Sequence, residues 1–378
     1  MDFQLTEEQR MLRDGARRYL ESECGGEKRL LTTAEAGFAP HHWRMFAELG
    51  WLGLGLPEAV GGIGGTPTDV SILMQEFGYA LAVEPYWPVA VLTAQTILAS
   101  GDERRIAELL PPLVEGKIFP VLAHNEDQAR GVVEHVTTTA TRSATGGWRL
   151  DGSKSLVVAG NKADRYVVSA RIAGDSRDRD GISLFLVPTD ARGLRVHPVR
   201  LIDNRWGAHI DLDGVEIGDA DRIGLPGQGH AALERGHAIA LVALAAEAIG
   251  LMERSLEITR DYVTVRKQFG VTLGTFQAVQ HRLADMLIEL ELSRGMVYRA
   301  LACLDADPAT QQQALSALKY QVGKSGKFVC GQAIQLHGGI GVTEEYIIGH
   351  YFKRMTLIEY AMGDSHSHLE RLAAMVRT

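Results

Sequence analysis

Residues 238–252 read Ala238-Ile239-Ala240-Leu241-Val242-Ala243-Leu244-Ala245-Ala246-Glu247-Ala248-Ile249-Gly250-Leu251-Met252, apolar or small throughout except for one carboxylate. A membrane span needs about 18 uninterrupted apolar residues or more, and Glu247 breaks this run well short of that. The stretch is therefore a buried helix of a soluble core, where an unpaired charge costs several kcal/mol unless it is protonated. Toward the C-terminus, helical periods cover 231–266, 276–304, 310–336, 343–354 and 365–376, with Gly and Pro scarce inside them. Four or five long antiparallel helices predict a bundle. Toward the N-terminus the period changes. Residues 132–141 alternate or are β-branched, Trp148-Arg149-Leu150-Asp151-Gly152 ends in a turn pair, and 163–170 and 182–187 are short apolar runs. They predict an antiparallel β domain of about 110 residues that ends at Leu225-Pro226-Gly227-Gln228-Gly229. From Thr6 to about Gly116 the pattern is helical again, with Leu5, Met11, Leu12 and Tyr19 at helical spacing behind a Thr6 cap. The expected domains are 1–118, all-α; 119–227, β; and 228–378, the helical bundle.

The 378 residues are 46% hydrophobic and 23% charged, which suits two or three domains with a large core and excludes bulk disorder. Lys plus Arg total 39 against 47 Asp plus Glu, a net charge of −8 without any basic stripe, so nucleic acid and anionic membrane are poor partners. Cys24, Cys303 and Cys330 are too few and scattered for a disulfide framework or a thiolate metal site, and no metal is expected. The acidic start, Met1 to Glu8, carries no apolar signal region, so a cytoplasmic protein is expected. Gly61-Gly62-Ile63-Gly64-Gly65-Thr66-Pro67 lacks the Lys-Ser/Thr ending of a P-loop and reads as a turn into a helix over 68–81.

Three short segments carry more. Arg266-Lys267-Gln268-Phe269-Gly270 ends one long helix, Phe276-Gln277-Ala278-Val279-Gln280-His281 starts the next, and Gln335-Leu336-His337-Gly338-Gly339-Ile340-Gly341 closes a third. An Arg at a helix end offers a planar fork to a pyrophosphate, and a Gly-Gly step lets backbone N–H groups approach without Cβ interference. Taken singly, Arg266 is as well explained by its helix C-terminus and Gly338-Gly339 by a C-cap.

In this order the three segments resemble the acyl-CoA dehydrogenase family, and the resemblance covers essentially the whole chain. Leu5-Thr6-Glu7-Glu8-Gln9 matches the family's opening, and Gly214-Val215 through Gly224 to Gly229 its crossover into the last domain. It implies an N-terminal helical domain, a middle antiparallel β-barrel and a C-terminal four-helix bundle. It also implies FAD, held by Arg266, Phe269, Gln277, Gln335, Gly338 and Gly339 across a subunit interface. An acyl-CoA substrate, an electron-transfer flavoprotein as acceptor and an assembly of four chains follow from the same resemblance. The ending Gly349-His350-Tyr351-Phe352-Lys353-Arg354, followed by Met362-Gly363-Asp364, looks like the small subunits of pimeloyl-CoA dehydrogenases and similar bacterial paralogues.

The sequence departs from the family where the chemistry is done. Dehydrogenating an acyl-CoA to its trans-2-enoyl product needs a carboxylate that takes the α-proton in a dry pocket. The family's Tyr-Glu-Gly-Thr segment is here Ala361-Met362-Gly363-Asp364, and Met362 is no base. Asp364 is a candidate, although an Asp just before Ser365-His366-Ser367-His368 is more economically an N-cap. Glu359 is a second. Glu247 is the most conspicuous, as a base with raised pKa or as a structural pair with His281 or Arg282. The family's flavin-contact loop is replaced by Ala123-His124-Asn125-Glu126-Asp127-Gln128-Ala129-Arg130, and its Trp-Ile-Thr by Leu156-Val157-Val158. His124 and Asn125 are candidate replacement donors in a loop that reads equally as solvent-facing, and Val158 is a further candidate for contact with the cofactor. Three functions stay open: an acyl-CoA dehydrogenase, alone or as one subunit; a non-catalytic subunit that completes the interfaces of a larger chain; and a flavin oxidase or N-hydroxylase on the same fold.

Overall fold

A computed structural model of the chain describes residues 4–25, 38–144 and 146–376. Helices α1 to α5 (Glu7–Tyr19, Pro40–Glu48, Pro67–Ala80, Ala94–Ala99, Glu103–Val114) come first. Strands β1 to β8 follow: Pro120–Ala123, Thr139–Arg142, Trp148–Val158, Arg165–Arg171, Ile182–Pro188, Leu194–Arg200, Trp206–Ile217 and Arg222–Ile223. Helices α6 to α10 (Gly229–Val265, Gln277–Ala302, Pro308–His337, Ile347–Tyr360, Ser365–Val376) complete the chain, with a two-stranded ribbon, β9 (Lys267–Gln268) and β10 (Val271–Thr272), between α6 and α7. The order is the expected one of helices, sheet and helices. None of the described helices is long and apolar enough to cross a membrane.

The chain divides into two compact units, and the division cuts across that order. One unit comprises Met1–Leu31, Pro67–Val83 and Leu241–Thr378. In it α8 is the central helix, flanked by α7, α9 and α10, while α1 packs on α3. The Thr6 cap closes reciprocally with Gln9, whose backbone N–H donates to Thr6 Oγ1 at 3.2 Å while the Thr6 N–H donates to Gln9 Oε1 at 3.1 Å. Glycine lets α3 and α6 approach closely: a Cβ on Gly78 would lie 1.9 Å from the Glu247 carbonyl oxygen, and one on Gly250 1.9 Å from that of Gln75.

The other unit, Thr32–Thr66 and Glu84–Ala240, holds the sheet, in strand order β6-β7-β3-β2-β4-β5-β8 with β1 also paired to β4. The pairing is not antiparallel throughout, because β1 runs parallel to β4 and β2 meets it in parallel at Thr139↔Arg171. A parallel pair needs a long crossover, and the connection from β1 to β4 contains β2 and β3. The strand expected over 132–141 is confined to Thr139–Arg142. The Thr137 and Thr138 N–H groups donate to the Glu126 carboxylate, at 2.6 and 3.1 Å, instead of to a neighbouring strand. At the start of α6, the Trp87 indole N–H donates to the Ala240 carbonyl at 2.7 Å, and a Cβ on Gly236 would lie 2.1 Å from Thr96 Oγ1.

Candidate functional site

In the helical unit, α6 ends at Val265 and Arg266 stands exposed at the entry to the β9–β10 ribbon, where the Leu273 N–H donates to its carbonyl at 2.9 Å. Phe269 and Gly270 make the two-residue turn at φ 54° and 83°, both left-handed as a type I′ turn requires. A Phe in that region is strained, and this one is 91% exposed. Gln277, also exposed, opens α7. The end of α8 is brought to the end of α6 through Tyr262, whose ring stacks on His337 with centroids 4.3 Å apart and whose hydroxyl donates to the His337 carbonyl at 3.3 Å. Gln335, Gly338 and Gly339 are exposed there, and a Cβ on either glycine would meet nothing within 4 Å. Behind them His337 Nδ1 lies 2.8 Å from the Ala333 carbonyl, which makes Nδ1 the protonated nitrogen. Among the described residues its buried Nε2 has no hydrogen-bond partner.

In the sheet unit, the segment after β1 is internally braced at His124, Glu126 and Ala129, which are buried, while Asn125, Asp127, Gln128 and Arg130 face solvent. His124 is 6% exposed and its Nδ1 lies 2.9 Å from Ser169 Oγ. The buried Lys154 ammonium donates to Ser169 Oγ at 3.1 Å and to Glu126 Oε1 at 2.6 Å. Burial would raise the Glu126 carboxyl, but Lys154 and the Thr137 and Thr138 donors bring it down to about 2. At Lys154 the balance is the reverse: burial outweighs the carboxylate, and its pKa is lowered. Asn125 ties the segment to β3: its Nδ2 donates to the Ser155 carbonyl at 2.9 Å and its own carbonyl accepts from the Ser155 N–H at 2.8 Å. Next to that tie β3 shifts register, Leu156 adopts φ 49°, and Val158 is half-buried opposite Gly207. Gln128 and Arg130 hold φ 68° and 46°, so the backbone keeps left-handed turns without glycine.

The acids are engaged elsewhere. Arg354 of α9 grips Glu247 with both ends of its guanidinium, Nε to Oε1 at 2.6 Å and Nη2 to Oε2 at 2.7 Å, and the two residues are 7% and 2% exposed. The expected partners lie elsewhere: His281 is exposed on α7, and Arg282 donates to Gln332. Asp364 accepts from the Ser367 N–H at 2.7 Å, which caps α10 and holds the carboxyl below the usual aspartate range. Glu359 accepts from the Ser365 N–H and hydroxyl, and its other oxygen is buried without a hydrogen-bond partner among the described residues. Beside it Lys319 donates to the Ile358 and Glu359 carbonyls, with burial pushing its pKa down to about 8. Met362, between these groups, sits at φ 60°.

Residues 6–117, 122–221 and 227–376 match, in turn, the N-terminal, middle and C-terminal domains of acyl-CoA dehydrogenases. The chain belongs to the acyl-CoA dehydrogenase family. It is similar to the probable acyl-CoA dehydrogenase YngJ of Bacillus subtilis (strain 168), 30% identical over 98% of each chain. Among solved structures it is similar to the Tcur3481–Tcur3483 steroid ACAD, at 33% identity and TM-score 0.87 over 98% of each chain. The ChsE4–ChsE5 complex of Mycobacterium tuberculosis gives 25% identity and TM-score 0.89, over 100% of this chain and 99% of the other.

Acyl-CoA dehydrogenases are FAD flavoproteins of the oxidoreductase class. Within this acyl-CoA dehydrogenase, the residues singled out by sequence fall into separate groups. Arg266, Phe269, Gln277, Gln335, Gly338 and Gly339 belong to the helical unit, and His124 and Val158 to the sheet unit. Sequence reasoning missed Arg354, the Lys154–Glu126 pair and Lys319. A lysine on a strand so closely followed by apolar residues was the one visible signal for Lys154; nothing local marks Arg354 as the partner of Glu247.

Proposed function

We propose that the chain is one subunit of a heteromeric, FAD-dependent acyl-CoA dehydrogenase that converts an acyl-CoA thioester to its trans-2-enoyl product, with the base supplied by a partner chain of the same fold. The observation that carries this reading is the bidentate Glu247–Arg354 pair. Both oxygens of that carboxylate are committed to the Arg354 guanidinium, so reaching a substrate α-proton would break a charge-assisted pair. Asp364 is spent as a cap, Glu359 is tied through one oxygen to the Ser365 N–H and hydroxyl, and Met362 holds the family's base position, so among the described residues the candidate acids are each committed to a structural contact. Relatives described as two-component assemblies, Tcur3481–Tcur3483 and ChsE4–ChsE5, agree with a heteromer.

The residues present fit FAD. Arg266 offers a charged fork to a pyrophosphate, and Gly338 and Gly339 leave room for close backbone approach. The bare, buried His337 Nε2 behind them lacks a donor. Gln335, Gln277 and the exposed Phe269 border the same segments, while His124 and Val158 occupy the family's ring-contact positions. When bound, FAD accepts the hydride that leaves the β-carbon. The assembly is one of four chains, two copies of each of two subunits rather than a homotetramer, and an electron-transfer flavoprotein takes the electrons onward.

The test is anaerobic flavin reduction by acyl-CoA, with the chain alone and with a dehydrogenase-like chain encoded beside it. Reduction only in the co-purified complex is expected. Full-rate reduction by the chain alone, abolished in Glu247→Gln, would refute the proposal.

A further inference from the structure

His124 and His237 lie edge to face in the sheet unit, ring centroids 5.0 Å apart at 77°, and their proton positions follow from their partners. His237 Nδ1 is 2.8 Å from the Leu233 carbonyl. A carbonyl only accepts, so Nδ1 carries the proton and Nε2 is a bare acceptor. Burial holds the pKa of His237 down to about 4, so the ring is neutral.

His124 is the mirror case. Its Nδ1 faces Ser169 Oγ at 2.9 Å, and the Lys154 ammonium, which has donors only, already donates to that oxygen at 3.1 Å. The Ser169 hydroxyl proton then has His124 Nδ1 as its acceptor, which leaves the imidazole proton on Nε2. Glu126, 2.6 Å from Lys154, anchors the charge that sets this direction. Burial, first, and then the nearby His237 and Lys154 hold His124 well below the usual histidine range, so it too is neutral. Among the described residues neither Nε2 has a hydrogen-bond partner. One ring therefore presents N–H and its neighbour a lone pair, with His124 oriented by the Ser169–Lys154 relay and His237 by its bond to the Leu233 carbonyl.

We propose that His124 and His237 are positioning residues that together read a carbonyl flanked by an N–H, the edge presented by the pyrimidine ring of the flavin. The ligand's carbonyl accepts from His124 Nε2 and its N–H donates to His237 Nε2. The inference rests on the FAD reading above. The amides of the pantetheine arm of coenzyme A offer the same chemistry, so the experiment carries both ligands.

Apo-protein, with its partner chain if one is required, is titrated with FAD and separately with coenzyme A, following flavin fluorescence, the visible flavin bands and binding heat. His237→Phe keeps an aromatic ring and removes the acceptor; it should weaken FAD binding about five- to tenfold, the worth of one hydrogen bond, and shift the flavin bands. His237→Gln, whose amide oxygen accepts, should restore both. Rescue by an acceptor separates recognition from packing. Weakening confined to coenzyme A would keep the edge recognition and assign it to the pantetheine amides. FAD bound with unchanged affinity and spectrum in His237→Phe, and coenzyme A likewise unchanged, would overturn the inference and leave the cofactor reading intact. Failure of the unaltered protein to bind FAD would instead overturn the cofactor reading, and the histidine pair with it unless coenzyme A responds.

Discussion

Glu247→Gln separates the two roles this carboxylate can have. In the structure its oxygens accept from Arg354 at 2.6 and 2.7 Å, in a setting where both residues are almost wholly buried. Replacing the carboxylate by an amide keeps its shape but leaves a buried guanidinium without its counter-charge, a loss of about 3–5 kcal/mol for a pair of this kind. At roughly 2 °C per kcal/mol for a chain of this size, the melting temperature should fall by about 6–10 °C. Flavin reduction in the complex with the partner should persist at a comparable rate. If Glu247 were the base, the same change would slow reduction by about 10²–10⁴-fold with little effect on melting. Differential scanning calorimetry and stopped-flow reduction by one acyl-CoA read the two quantities on the same samples. Pairing Glu247→Gln with Arg354→Met completes the cycle: the double variant should recover much of the lost stability because no charge is left stranded. A melting temperature unchanged in Glu247→Gln, together with a hundredfold loss of reduction, would refute the structural assignment.

Arg266→Ala should weaken FAD retention by about 1.5–3 kcal/mol, the worth of a charge-assisted hydrogen bond; unchanged flavin occupancy would remove Arg266 from the site. Asp364→Asn should leave both melting temperature and turnover close to the parent, whereas Asp364→Ala should cost about 1 kcal/mol of stability through the lost cap of α10; a large loss of turnover in the Asn variant at unchanged stability would make Asp364 catalytic. Glu126 has a folded pKa depressed to about 2, so its contribution to stability is complete above the unfolded value of about 4.3 and drains away as pH falls from there toward 2. An acid melting series should show that decline, and Glu126→Gln should flatten it.

Periodicity and local chemistry made the helices legible. The long apolar run around Glu247 is helical, and α6, α7 and α8 begin and end within a few residues of their sequence expectation. The Thr6 cap and the Asp364 cap were equally readable, because a cap is a contact between residues three apart. The fourth helix of the last domain was placed too early: expected over 343–354, it runs from Ile347 to Tyr360. Strands β6 and β7 were missed because their polar, outward-facing residues interrupt the apolar pattern. The site divides along the same line. Arg266, Gly338 and Gly339 stand at the helix ends where the sequence puts them, but the partnership of Glu247 with Arg354 spans 107 positions and exists only in the packed state. The Lys154–Glu126 pair is hidden for the same reason.

The backbone of this chain bears on the proposal that a partner supplies the base. Gln128, Arg130, Leu156 and Met362 all hold left-handed φ values that are strained for residues other than glycine. The first three lie in or beside the segments that meet the flavin in the family's pattern, and Met362 stands where the family has its base. Conformations of this kind persist only where the surroundings over-determine them, and here the surroundings do so. The Asn125–Ser155 tie and the Glu126 carboxylate brace the first group, while the Glu359–Ser365 contact and the Lys319 bonds to the Ile358 and Glu359 carbonyls flank Met362. Loops that served only as tethers would have relaxed once glycine or the reactive side chain was replaced. Their retained shape is what a subunit needs if it must still present the family's contact surfaces while a partner contributes the proton-abstracting carboxylate.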